Sequence, residues 1–155
     1  MNDRIKFGLI GKNISYSFSR NYFLEKFKKL GLSYYTYTNF DIPEIEEFPF
    51  ILYQKEHEFK GFSVTIPYKE KVMKYLNEID PVAQKIGAVN AIKVTEDNKL
   101  IGYNTDVYGF KEALKPLLKA QHKKALILGT GGASKAVAYV FEELGIAYKF
   151  VSRKA

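Results

Sequence analysis

Apolar residues recur along this chain with two periods, and the two alternate. Residues 5–10 form a short apolar strand, after which GKNISYSFS leads into a helix over 20–30 that Gly31 closes. Phe23, Phe27 and Leu30 return at three-to-four spacing as its buried stripe, while Lys26, Lys28 and Lys29 face water. A strand over 34–40 follows, then a turn opened by Asp41 and Pro43 and a helix from Pro49 to about residue 58. Within 61–69, reading GFSVTIPYK, Phe62, Val64 and Ile66 alternate with Ser63 and Thr65, the period of a half-buried strand. Pro67 lacks the N–H that a central ladder needs, so the strand stops there. A helix over about 68–76 then carries Lys69 on its first turn, where the helix dipole disfavours a cation and eases its loss of a proton.

Asp80 and Pro81 open another short helix, Gly87 ends it, and 91–95 with 99–103 read as a hairpin around Glu96, Asp97 and Asn98. The alternation of strands and helices predicts an α/β unit up to about residue 105. A second unit begins with a helix over 107–120, with Asp106 as its N-cap. The strand 124–128, the turn GTGGAS, a small-residue helix over 135–144 and a strand over 148–152 follow in the order that a dinucleotide fingerprint requires. Gly129 permits the turn, Gly131 lets backbone approach a pyrophosphate, and Ser134 holds the third position; a plain tight turn is the bland alternative. At the end of the second strand an NAD site wants an acid and an NADP site a cation. Ser152, Arg153 and Lys154 stand there, and the fork of Arg153 with the charge of Lys154 favours NADP.

Composition narrows the classes. The 155 residues are 46% hydrophobic and 26% charged, as in an ordinary globular protein of one domain or two small ones. There is no apolar run long enough to span a membrane and no charged-then-apolar leader, so a cytoplasmic protein is expected. Cysteine is absent, and His57 and His122 are the only histidines, which disfavours a metal centre, a disulfide framework or a histidine triad. The net charge of +7 makes nucleic acid a partner to consider. The lysines are dispersed among acids, and only Arg4, Arg20 and Arg153 are arginines, so a solvated lysine surface is the better reading. The aromatic residues sit at core-like spacings rather than as a stacking platform.

Candidate chemistry gathers at Lys69. Polar groups just past a strand's carboxyl end in an open α/β sheet stand where ligands bind, so Thr65 and Lys69 would face one crevice. Asn90, Asn104, Thr105 and Asp106 cluster among glycines downstream, and Asp106 is the natural partner for Lys69. A cap alone would equally explain Asp106, and both roles can coexist because a carboxylate has two oxygens. Ser19, placed as N-cap of the first helix, and Ser17 two residues before it put hydroxyls beside a helix amino terminus, an arrangement suited to an anion.

Five segments in order resemble the shikimate dehydrogenase family: Ser17-Phe18-Ser19, VTIPYK over 64–69, GAVN over 87–90, NTDVYG over 104–109 and GTGGAS over 129–134. The resemblance implies an N-terminal α/β substrate-binding domain with a mainly parallel sheet over 1–105. The start of a Rossmann-like NADP-binding domain, left incomplete, would occupy 106–155. It implies that Ser17 and Ser19 hold the shikimate carboxylate, that Thr65, Lys69, Asn90 and Asp106 bind its ring hydroxyls, and that Lys69 and Asp106 are the catalytic pair. Gly129, Thr130, Gly131, Gly132, Ala133 and Ser134 would meet the cofactor phosphates, with Ser152, Arg153 and Lys154 at the NADP 2′-phosphate end. The implied reaction is reversible NADPH-dependent reduction of 3-dehydroshikimate. Tyr16, Arg20 and Ser63 depart from the family's histidine, proline and asparagine, which bears on fine specificity. The family's chains are longer, so this sequence is expected to be a portion of a longer polypeptide. Two rival readings follow: a substrate-binding fragment or regulatory module without dehydrogenase activity, and a broader quinate or shikimate dehydrogenase.

Overall fold

The computed structural model describes residues 4–53 and 59–152. In chain order these form β1 (Ile5–Gly11), α1 (Ser19–Lys29), β2 (Tyr35–Asp41), a 3-10 turn at Ile45–Glu47 that runs into α2 (Phe48–Leu52), and β3 (Phe59–Val64). A 3-10 segment at Lys71–Tyr75 leads to β4 (Glu78–Ile79), α3 (Pro81–Ile86) and the hairpin strands β5 (Ala91–Val94) and β6 (Leu100–Tyr103). Then come α4 (Asp106–Leu114) with a 3-10 extension at Lys115–Leu117, β7 (Lys124–Leu128), α5 (Gly132–Glu143) and β8 (Ala147–Val151). Among these helices none is long and apolar enough to cross a membrane.

Six strands make one sheet in the order β2-β1-β3-β5-β6-β4. β1 pairs in parallel with both β2 and β3, and β4 in parallel with β6, while β5 is antiparallel to β3 and β6. Segments pack on both faces. On one, Ile10, Phe62, Val64 and Ile92 meet Ile45, Phe48 and Val72 from the connecting segments. On the other, Leu9 and Tyr37 meet Phe23, Leu24 and Phe27 of α1, and the Phe23 ring stacks on Tyr37 with centroids 4.6 Å apart. Leu30, expected in that stripe, instead follows the end of the helix and is 61% exposed. Phe23, Phe27 and Tyr37 are therefore packing side chains, as their spacing suggested, while Tyr22 of α1 is 52% exposed.

The short sheet β7-β8 is parallel and separate from the first. Its inner face, with Ile127 and Tyr148, packs against Phe141 of α5 and Phe110 of α4. Leu126 and Leu128 on β7 are 66% and 80% exposed, and Phe150 and Val151 on β8 are also exposed. A helix layer thus covers one side of this sheet and leaves apolar surface on the other, as expected of a doubly wound unit with a single layer in place.

Several boundaries differ from the sequence reading, each for a local reason. The predicted helix over 68–76 is a five-residue 3-10 turn, because tertiary contacts hold the chain ahead of it. The Val89 N–H donates to the Lys69 carbonyl at 2.7 Å, and the Tyr68 side chain, 1% exposed, is drawn into the core. Helix α4 gives way to 3-10 geometry at Lys115 because Pro116 has no N–H for the next helical bond. Helix α5 begins at Gly132, three residues earlier than predicted, directly after extended Gly131. The predicted helix from Pro49 is realised as α2, and residues 54–58 lie outside the described residues. By contrast α3 follows the reading closely: the Asp80 carboxylate accepts from the N–H groups of Val82 and Ala83, and Gly87 closes the helix at φ 71°.

Tyr68 anchors the loop that carries Lys69, its hydroxyl donating to the Ile42 carbonyl at 2.8 Å. Burial first, and then the acidic neighbours Glu44, Glu47, Glu46 and Asp41, hold its phenol above the ordinary value of 10.0. Below that value the phenol is neutral in both folded and unfolded chains. Above it the unfolded chain ionises first, so stability falls as pH rises. Urea unfolding at pH 8 and at pH 10.5 should show a lower midpoint at the higher pH, and Tyr68→Phe should reduce that difference.

Candidate active site

The site lies where the carboxyl ends of β1, β3 and β6 and the start of β5 meet. Antiparallel pairing places Ala91 opposite both Ser63 and Tyr103, so Asn90, Thr65 and Asn104 come to the same edge. The main chain ties them there: the Val64 N–H donates to the Asn90 carbonyl at 2.8 Å, and the Asn90 N–H to the Tyr103 carbonyl at 3.0 Å.

On this platform Lys69 and Asp106 meet. Nζ of Lys69 lies 2.6 Å from Oδ2 of Asp106, with side chains 14% and 32% exposed. The other carboxylate oxygen, Oδ1, accepts from Nδ2 of Asn90 at 2.7 Å. Asn90 is fixed in turn, because its Oδ1 accepts the Thr105 N–H at 2.8 Å and its Nδ2 lies 3.0 Å from the Thr105 hydroxyl. Asn104 supports the same turn, donating to the Ala88 carbonyl at 2.9 Å and accepting the Asp106 N–H at 3.1 Å. Asp106 is therefore not the cap of α4. Thr105 holds that position, Asp106 is the first helical residue, and each of its carboxylate oxygens has one partner, Lys69 on Oδ2 and Asn90 on Oδ1, with room to accept a further bond. Nor does Lys69 open an α-helix. It precedes a 3-10 turn, so its own element supplies no helix dipole to repel it.

The serine segment is placed differently from its prediction. Helix α1 starts at Ser19 itself, after Phe18, and Ser19 makes no side-chain cap bond. Instead the Ser17 oxygen accepts the Ser19 N–H at 3.3 Å, and the two hydroxyls lie 3.2 Å apart. Both are half-buried. The loop ahead of them is held by Asp41, whose two oxygens accept the N–H groups of Asn13 and Ile14 at 2.8 and 3.1 Å. That loop abuts the Thr65 turn: the Lys12 N–H donates to the Ile66 carbonyl at 3.1 Å, and a Cβ on buried Gly11 would fall 2.6 Å from the Thr65 methyl. The serines thus border the Thr65 side of the site without a direct bond to Lys69 among the described contacts. The sequence marks Asp41 only as a turn residue; its hold on a loop 28 positions away has no local signal.

At the glycine turn, Gly129 has φ 111°, a conformation that L side chains rarely adopt, and its N–H donates to the Val151 carbonyl at 2.8 Å. Gly131 is extended rather than left-handed, and a Cβ there would meet nothing within 4 Å, which leaves the backbone open to a ligand. Thr130, Gly131 and Ala133 are exposed, and Gly132 and Ser134 half-buried in the first turn of α5. The first helical bond runs from the Lys135 N–H to the Gly131 carbonyl at 3.1 Å, so the preceding N–H groups have no helical acceptor. Exposed amides at the start of a twelve-residue helix fit an anion such as a pyrophosphate. Ser152 follows β8, while Arg153 and Lys154 lie outside the described residues.

A double-mutant cycle of Lys69→Met and Asp106→Asn, read by urea unfolding, should give a coupling energy of about 0.5–3 kcal/mol. Additive effects would mean that the two groups do not interact in solution.

Comparisons with known proteins place the chain in a family. The family model for the shikimate dehydrogenase substrate binding domain matches residues 9–92. A shikimate dehydrogenase (NADP(+)) of Clostridium botulinum is 44% identical over 138 residues, covering 88% of this chain and 53% of that protein. Shikimate dehydrogenase 1 of Peptoclostridium difficile superposes with a TM-score of 0.85 at 40% identity, over 97% of this chain and 57% of that one. The Thermus thermophilus shikimate 5-dehydrogenase, solved in complex with NADP(H) and shikimate, does so with a TM-score of 0.83 at 34% identity, over 97% and 56%. The chain spans about half the length of the curated relatives it matches. Because the family model covers more than half of its residues and the main sheet has the same architecture, this chain belongs to the shikimate dehydrogenase family, through the substrate-binding domain.

Proposed function

We propose that this chain carries the shikimate-binding and proton-handling half of an NADP-dependent shikimate dehydrogenase, which reduces 3-dehydroshikimate reversibly to shikimate. Residues 1–105 form the substrate-binding part and 106–155 the first part of the NADP-binding one. The observation that carries the reading is the Lys69–Asp106 pair at 2.6 Å, half-sheltered and braced by Asn90 at the end of the sheet.

In this reading Ser17 and Ser19 take the substrate carboxylate with their hydroxyls, and Thr65, Asn90, Lys69 and Asp106 take the ring hydroxyls. The Thr65 hydroxyl has no hydrogen-bond partner among the described residues, so it has a donor to offer. NADP would rest its phosphates on Gly129, Thr130, Gly131, Gly132, Ala133 and Ser134, with Ser152, Arg153 and Lys154 toward the 2′-phosphate, and it supplies the hydride. As negative charge develops on the carbonyl oxygen, the Lys69 ammonium donates its proton there and the ketone becomes the alcohol. Asp106 holds the ammonium toward the cleft and accepts from a neighbouring ring hydroxyl. Selectivity for a polyhydroxylated ring follows, because an analogue lacking a hydroxyl leaves one of these half-buried groups unpaired.

A second reading, a substrate-binding module that needs further chain for turnover, is favoured by one observation: the open apolar face at Leu126 and Leu128. Calorimetry with shikimate, run beside NADPH oxidation by 3-dehydroshikimate, separates the two. Binding without oxidation selects the module, and oxidation selects the enzyme. Lys69→Ala should abolish most of any turnover, and no shikimate binding by the wild-type chain would contradict both readings.

A further inference from the structure

The glycine turn and the Lys69 loop touch. Gly132, the first residue of α5, lies so close to the lysine that a Cβ on it would stand 3.0 Å from Lys69 Cβ, 3.2 Å from Ala88 Cβ and 3.4 Å from Lys69 Cδ. Contacts of that length force the neighbours to move by a few tenths of an ångström, and the neighbour here is the stem of the lysine whose tip rests on Asp106. Gly132 has no left-handed φ to explain it, whereas Gly129 does. Close approach is what remains.

The contact sits in a built seam. Ala88 and Ala136 are fully buried side by side, joined by Ile86, with Val82, Val107 and Tyr139 around them. Lys135, three residues along α5, places Nζ 2.6 Å from Oε2 of Glu70, the residue after Lys69. Nζ of Lys85 on α3 stands over the Tyr139 ring of α5 at 5.1 Å. The small residues at 88, 132 and 136 let α5 lie flush against this loop, and the two ion-bearing contacts flank it.

We propose that Gly132 is a positioning residue for Lys69: its missing side chain lets the amino end of α5 brace the lysine stem, which keeps Nζ on Asp106. The Glu70–Lys135 bridge is the second tether of the same brace. A phosphate group settling on the turn would therefore bear on the lysine directly, linking occupancy of the glycine turn to the geometry of the ammonium. This deepens the functional reading above and rests on it for the meaning of Lys69, but the brace itself is testable without any substrate.

The test is trace acetylation of the intact 155-residue chain with acetic anhydride, each lysine's share being read by peptide mass spectrometry. In Gly132→Val, Lys69 should gain about fivefold over wild type relative to the other lysines, the equivalent of about 1 kcal/mol of overpacking strain. Gly132→Ala should give a smaller gain. Gly109→Ala, at a helix position where a Cβ meets nothing within 4 Å, should give none. Lys135→Met, at a partly exposed site, should raise Lys69 about twofold, and it decides the matter if the Gly132 variants do not fold. An unchanged share for Lys69 in these variants overturns the proposal, and so does a rise shared by all lysines, which would report general loosening. If Lys69 responds as stated while the wild-type chain fails to bind shikimate, the brace stands and the functional reading falls.

Discussion

An ammonium and a carboxylate 37 residues apart in sequence are held at 2.6 Å, and the architecture around them serves that distance. On an open surface the long lysine side chain would not stay in one geometry, and such pairs are worth little there. Here the backbone of each is fixed first. The Lys69 carbonyl accepts the Val89 N–H, and Tyr68 beside it is sunk in the core with its hydroxyl on Ile42. Asp106 begins α4 directly after β6, on a turn closed by Asn104 and Asn90. Partial burial then reduces screening, and Asn90 fills the second carboxylate oxygen, so the pair is oriented rather than merely adjacent.

The six-stranded sheet makes this possible through its mixed pairing. Parallel strands β1 and β3 deliver Gly11 and Thr65 to one edge, and the antiparallel turn into β5 brings Asn90 back to that same edge. β6 then delivers Asn104, Thr105 and Asp106 beside it. A ligand pocket at strand ends follows from topology alone in open α/β sheets. That edge carries an acid, an amide and an amine side by side, Asp106, Asn90 and Lys69. The smaller sheet adds the glycine turn, which arrives against the lysine stem through Gly132.

Much of this was legible along the chain, because each functional group follows a strand or turn with a strong local signal. Pro67 marks a strand end, which falls three residues earlier at Val64 with Ile66 59% exposed, the hairpin is bounded by Glu96 to Asn98, and the strand, glycine turn and helix occur in the expected order. The caps were less legible. Moving the helix start by one residue converts Ser19 and Asp106 from caps into first helical residues, and sequence preference does not resolve one residue. The segment after Pro67 carries Val72, Met73 and Leu76 at helical spacing, yet the Tyr68 anchor and the Val89–Lys69 bond decide its form. Long-range partners were invisible for a different reason. Lys135 and Glu70 are 65 positions apart, and nothing local distinguishes that lysine from the others on a lysine-rich surface.

The charged pair of Lys69 and Asp106 at the strand ends is the claim on which the rest stands. A crystal structure of this chain grown with shikimate tests it most directly. The account requires the ligand's carboxylate at the Ser17 and Ser19 hydroxyls and a ring hydroxyl within hydrogen-bond distance of both Lys69 Nζ and Asp106. Shikimate bound elsewhere, or Lys69 and Asp106 directed into separate solvent regions, would contradict it.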